Sequence, residues 1–230
     1  MIRRLALFDI DGTLLTTQGR AVQALMNALE AVYGAHPESD GLLMDGKTEL
    51  RIVHELLAQT GLDRPAIESK LPQFWPRYEC ELETAIHSGV TTVYRGVREL
   101  IACLQEETSV ALALLTGNCP SAARIKLEAA GLSGAFAFGA YGERHESRNE
   151  LPALALAEAH SRLGLRLSGK AVSILGDTPN DILCAKPLGL RAIAVATGRY
   201  GREDLAQSEP DELFPDFGDV EAVVRAILRE

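Results

Sequence analysis

The spacing of apolar residues changes character along the chain. An unbroken run, "RRLALFDI" at residues 3–10, predicts a strand. In "RAVQALMNALEAVYG" the positions Val22, Leu25, Met26, Leu29, Val32 and Tyr33 recur at three- and four-residue steps, which predicts a helix ended by Gly34. "GAHPESDG" (34–41) reads as a loop. "KTELRIVHELLAQTG" predicts a second helix with Val53, Leu56 and Leu57 inward. A third helical region follows with Tyr78, Leu82 and Ile86 at steps of four, and it is expected to break near Pro72 and Pro76. From "YRGVRELIACLQEE" onward the pattern alternates. Continuous apolar strands ("SVALALLT", "AFAFGAY", "AVSILGD", "RAIAVAT") are separated by helices, and "DVEAVVRAILRE" closes the chain as a helix.

Strands without polar alternation, each followed by a helix, are buried on both faces. The expected class is therefore α/β: a Rossmann-like parallel sheet with helices on both faces, interrupted after its first strand by an all-helical insert. The expected boundaries are 1–16 and 92–230 for the core and 17–91 for the insert. The length of 230 residues is enough for both units.

A net charge of −9 argues against nucleic acid as a partner, because phosphate backbones are bound by excess Lys and Arg. A small phosphate ester stays open if the site itself is locally positive. Cys80, Cys103, Cys119 and Cys184 show no CxxC spacing, which disfavours structural zinc and dithiol redox chemistry. The basic-then-apolar start is too short for a signal peptide, and no run approaches the roughly 18 residues that span a bilayer. A cytoplasmic protein without a membrane partner is expected, as a monomer or homodimer.

In open parallel sheets, ligands bind at the carboxyl ends of the strands. Polar clusters collect there: Asp9-Ile10-Asp11-Gly12-Thr13, then Thr116-Gly117-Asn118, then "ERHESRN" with Arg144 and Arg148, then Gly176-Asp177-Thr178-Pro179-Asn180-Asp181. One such cluster means little, since idle loops also carry Gly, Asp and Asn. Four in order behind successive apolar strands point to a site.

With these motifs in this order, and a helical insert between the first and second, the sequence resembles the haloacid dehalogenase superfamily over essentially its whole length. It looks most like the helical-cap, phosphoglycolate-phosphatase-like branch. The resemblance implies an Mg²⁺-dependent phosphatase of a small phosphorylated metabolite, with Asp9 as nucleophile and Asp11 as general acid/base. It further implies Mg²⁺ on the Asp9 carboxylate, the Asp11 carbonyl and Asp177, with Asp181 holding metal waters or orienting the third-motif cation. Thr116, Gly117 and Asn118 would present a hydroxyl and N–H groups to the phosphoryl oxygens. The third-motif cation is best matched by Arg148, with Arg144 competing. In the insert, Gly46-Lys47-Thr48 matches a glycine-rich turn that faces the site in relatives, so Lys47 is a candidate for contacting substrate.

The residue types make sense independently. A carboxylate nucleophile divides a very slow hydrolysis into two transfers, a cation offsets the repulsion between two anions, and a second acid serves the leaving oxygen. Plainer roles stand beside these: a helix cap for Asp177, an ordinary first-turn acid for Asp181, a buried inert thiol for Cys119, and a solvated Lys47 beside a capping Asp45. Asp11 favours phosphoryl transfer over dehalogenation or phosphonoacetaldehyde hydrolysis, whose enzymes generally lack an acid there. A β-phosphoglucomutase-like phosphotransferase and a catalytically idle binding protein remain as alternatives.

Overall fold

The computed structural model describes residues 2–38 and 42–229, so residues 39–41 of the expected loop lie outside the described residues. Six strands form one sheet: β1 (Arg4–Phe8), β4 (Val110–Thr116), β5 (Gly139–Tyr141), β6 (Val172–Gly176), β7 (Arg191–Val195) and β8 (Glu212–Phe214). They run parallel in the order β5-β4-β1-β6-β7-β8, which sets β1 between β4 and β6. β1 shows why the sheet is covered twice. Successive side chains of a strand point to opposite faces, and Leu5 and Leu7 enter one apolar cluster while Ala6 and Phe8 enter the other. Helices α4 (Val97–Glu106), α5 (Pro120–Ala129) and α9 (Val220–Leu228) pack on the Phe8 side. Helices α6 (Leu151–Leu163), α7 (Pro179–Ala185) and α8 (Arg202–Ala206) pack on the Leu7 side.

The insert follows β1 and consists of α1 (Arg20–Tyr33), α2 (Glu49–Ala58) and α3 (Arg64–Ala85). Its own core includes Leu29, Val53, Leu56, Phe74 and Tyr78, and it extends onto Ala122 and Ile125 of α5, so the cap rests on a core helix. At the base of the insert β2 (Leu15–Thr16) pairs antiparallel with β3 (Thr92–Val93). No helix among the described residues is long and apolar enough to cross a membrane.

Three local expectations are corrected. The third helical region does not break: α3 runs for 22 residues through Pro72 and Pro76. An interior proline costs about 3 kcal/mol. Burial of Phe74, Tyr78 and Leu82, at about 1.5–3 kcal/mol each, offsets that cost, with Phe74 and Tyr78 stacked at 5.8 Å. The buried face of α1 is Ala21, Ala24, Leu25, Ala28 and Leu29, one step away from the expected stripe. Val22 is 39% exposed, on the flank that lines the cavity between cap and core. The short α8 and β8 add a sixth strand that no periodicity announced, three residues being too few to show a period.

Candidate active site

Asp9 follows the last residue of β1 and is buried, as are Asp177 after β6 and Asp181 in the first turn of α7. Each offers a carboxylate oxygen, and the three oxygens lie within 4.8 Å of one another. Arg148, at the first residue of a 3₁₀ turn leading into α6, reaches two of them. Its Nη2 is 2.9 Å from Asp9 Oδ1 and 2.5 Å from Asp181 Oδ1, and its buried Nε has no hydrogen-bond partner among the described residues. Arg144 is turned outward, its side chain 84% exposed and beside Glu143. Of the two arginines in the loop, the fold brings Arg148 to the acids.

Asp181 combines its two expected roles. Its Oδ2 accepts from the Thr178 N–H (3.0 Å) and hydroxyl (2.6 Å) in a capping box, while its Oδ1 holds Arg148. The N-cap of α7 is Thr178 rather than Asp177. Asp177 instead accepts from the Thr13 hydroxyl at 2.9 Å. Gly12 is needed beside it: its φ is +81°, and a Cβ there would lie 2.2 Å from Asp177 Oδ2.

Three acids facing one guanidinium leave negative charge unmet. Burial pushes the Asp9 carboxyl up to about 6; Arg148 pulls it down, and the charges of Asp181 and Asp11 add to the rise. Burial, then the charges of Asp181 and Asp9, push Asp177 well above the usual carboxylate range. An all-oxygen set without His or Cys suits a small hard dication such as Mg²⁺. The residues present fit such an ion.

Asp11 points elsewhere. Its side chain is 43% exposed, and its Oδ2 accepts from Lys126 Nζ at 2.7 Å and from Asn118 Nδ2 at 2.8 Å. Lys126 also donates to Asn118 Oδ1 at 2.5 Å, and Asn118 Nδ2 to Thr116 Oγ1 at 2.7 Å. Sequence reasoning missed Lys126. Burial works against its charge, but Asp11 and Glu49 outweigh that and hold its pKa above the ordinary lysine value. Glu49 was missed as well. This buried first residue of α2 accepts from the Tyr78 hydroxyl (2.8 Å) and from the Cys119 N–H (2.7 Å). Burial pushes its carboxyl up, against the pull of Lys126 and these two donors. Both residues carried a signal: Glu49 is in register with Ile52, Val53 and Leu56, and Lys126 with Ala122 and Ala123. A charge on an apolar face is worth pursuing. Burial pushes the Cys119 thiol up, which makes it an unreactive one.

The cap is seated on this machinery. The Glu49 N–H donates to Gly117 O at 2.8 Å, Asn180 Nδ2 to Gly46 O at 3.2 Å, and the Thr48 hydroxyl to Glu146 O at 3.1 Å. Thr48, not Asp45, caps α2. Lys47 lines the cavity, and its Nζ is held by Glu55 Oε2 at 2.5 Å. A Cβ on Gly117 would lie 2.0 Å from the Lys47 carbonyl oxygen. Gly117→Ala is therefore expected to unseat the cap. Turnover should fall at least about 100-fold with far-UV circular dichroism unchanged; wild-type activity in this variant would show that the seam does not matter.

A family model described as haloacid dehalogenase-like hydrolase matches residues 6–195. The chain is 29% identical over 230 residues to the probable phosphatase IndB of Dickeya dadantii (strain 3937), covering 99% of this chain and 96% of that protein. It is 28% identical over 220 residues to the phosphoglycolate phosphatase of Agrobacterium fabrum, covering 93% and 88%. Among solved structures, the β-phosphoglucomutase of Clostridium difficile shares the fold at a TM-score of 0.70 and 15% identity, over 99% of this chain and 98% of that one.

Proposed function

The chain belongs to the haloacid dehalogenase-like hydrolases, and on that premise we propose that it is an Mg²⁺-dependent phosphomonoesterase working through an aspartyl phosphate on Asp9. Its substrate is a small phosphorylated metabolite, phosphoglycolate-like or a sugar phosphate. The observation that carries this reading is the pairing of two acids in different settings. Asp9 is buried among acids and held by Arg148, whereas Asp11, two residues on, is half-exposed and held by Lys126 and Asn118. On this reading Asp9 attacks, and Asp11 exchanges a proton with what enters the cavity.

In this scheme residues 17–91 are the cap over a core of 1–16 and 92–230. An Asp9 carboxylate oxygen bonds to phosphorus as the ester P–O bond breaks, and Asp11 gives a proton to the departing alkoxide. Asp11 then takes a proton from the water that cleaves the aspartyl phosphate, releasing inorganic phosphate and restoring both acids. Arg148, whose Nη2 lies 2.9 Å from Asp9 Oδ1, and the Thr116 hydroxyl with the Gly117 and Asn118 N–H groups would meet the transferring oxygens. Magnesium held by Asp9, the Asp11 carbonyl and Asp177, with Asp181 behind them, would supply the positive charge that lets one anion approach another. The cap residues Lys47, Glu49 and Tyr78 wall the cavity beside Asp9 and Asp11.

The test is phosphate release from p-nitrophenyl phosphate and from a panel of phosphorylated metabolites, with and without EDTA. Release that is lost on chelation and restored by Mg²⁺ supports the reading; metal-independent release overturns it. Glucose 1-phosphate in the panel separates hydrolysis from a mutase, which would yield the 6-phosphate in place of free phosphate. Lys47→Ala removes part of the cavity wall, so KM should rise several-fold while kcat stays within about twofold. A loss confined to kcat would place Lys47 in the chemistry instead.

A further inference from the structure

The cavity between cap and core measures about 350 Å³, at the small end of the roughly 300–1,000 Å³ of small-molecule sites. Each of the four cations that line it is already met by a carboxylate. Lys47 Nζ lies 2.5 Å from Glu55, Lys126 Nζ 2.7 Å from Asp11, Arg148 Nη2 2.9 Å from Asp9, and Arg199 Nη1 3.7 Å from Asp45. Glu49 is the reverse case. It is a carboxylate in the same wall, 7% exposed, with no cation within 4.0 Å among the described residues. Its Oε1 accepts from the Tyr78 hydroxyl and its Oε2 from the Cys119 N–H. A carboxylate oxygen accepts about two hydrogen bonds, so each retains capacity for one more donor. Leu25, Ile52 and Val22 supply apolar surface around it.

We infer that this pocket selects phosphate monoesters whose leaving group carries no second negative charge, an uncharged hydroxyl-bearing body such as a polyol or sugar, and that Glu49 is the residue that enforces the choice. This rests on the phosphatase reading and narrows it. Arg148 and the strand-end donors meet one phosphoryl group. A second anion placed beyond Asp11 finds Glu49 in a poorly solvated wall and no cation without a partner, so it loses its hydration and gains no counter-charge. A hydroxyl in the same place donates to Glu49 and satisfies both groups.

The experiment compares matched pairs that differ in the charge at the far end of the leaving group. These are phosphoglycolate against 2-hydroxyethyl phosphate, and 3-phosphoglycerate against glycerol 3-phosphate. In both pairs the uncharged member is expected to show at least tenfold higher kcat/KM. Glu49→Gln should shrink that ratio at least fivefold, chiefly by lowering KM for the anionic member, and Glu49→Asp, which keeps the charge, should retain a preference for the uncharged member. An anionic member that is turned over as well as its partner, or a ratio that Glu49→Gln leaves unchanged, overturns the inference. If the Gln variant does not fold, the wild-type ratios decide. Hydrolysis of p-nitrophenyl phosphate reports on the phosphatase reading separately. If it is absent, that reading falls and this one with it; if it is present while phosphoglycolate is preferred, only the role of Glu49 falls.

Discussion

Asp9→Asn is expected to lower Mg²⁺-dependent phosphate release by at least about 10⁴-fold without lowering the melting temperature of the metal-free protein. The amide has the shape of the acid but cannot form the acyl phosphate, so the chemical step is lost. Stability should not follow, because the charge removed is one of three acids facing one guanidinium. Arg148 keeps Asp181, so the substitution leaves no cation buried alone. The pH dependence has a definite sign. Burial raises the Asp9 carboxyl from 3.8 to about 6 in the folded chain. A raised carboxyl pKa favours the folded state fully below the unfolded value, and that contribution is lost as pH rises through about 6. The Asn variant has no such loss. Its melting temperature in EDTA, relative to wild type, should therefore climb between pH 5 and pH 7. A variant that retains turnover removes Asp9 as nucleophile. One that melts well below wild type at pH 7 contradicts the account of unmet charge.

Lys126→Met should weaken both activity and fold. The ammonium bridges Asp11 Oδ2 and Asn118 Oδ1 at 2.7 and 2.5 Å, and its charge faces buried Glu49. Without it Asn118 Oδ1 loses its donor, and the pull that Lys126 exerts on Glu49 from beyond ion-pair distance is gone. Breaking a wholly buried pair costs about 3–5 kcal/mol. Asp11 is half-exposed, so about 2–3 kcal/mol is the fitting range, or about 5–10 °C at the 2–4 °C per kcal/mol of chains this size. Turnover should fall about 100-fold, and further for an alkyl phosphate than for p-nitrophenyl phosphate. The alkoxide needs its proton, and Asp11 would no longer be held to give it; nitrophenolate leaves without one. Equal losses on both substrates would mean that Lys126 supports the fold but not the proton transfer. Lys126→Arg is not expected to rescue, since a planar fork does not fit where a point charge bridges two oxygens.

Much of this was legible in the chain. The apolar runs of β1, β4, β6 and β7 need no partner to be recognised, because burial on both faces writes itself into consecutive residues. Asp9, Asp11, Thr116, Asp177 and Asp181 stand out because strand ends are where an open sheet binds. The continuity of α3 was not legible, since proline breaks helices unless packing outweighs the cost, and packing is not local. Arg148 was favoured over Arg144 by resemblance alone, since local pattern does not separate two arginines four positions apart until the loop has a direction.

The sequence by itself determined the layer architecture, the helical insertion and the types of residue at each strand end, since each is set by local pattern. Only the tertiary structure decided which charges meet. Placing β1 between β4 and β6 brings acids that lie more than 160 residues apart within 4.8 Å. Local pattern puts Glu49 and Lys126 on apolar helix faces but does not say what each meets there; the fold sets Glu49 against the Cys119 N–H and Lys126 against Asp11. A carboxylate's partner is chosen by proximity in space, and chain neighbours do not encode that proximity.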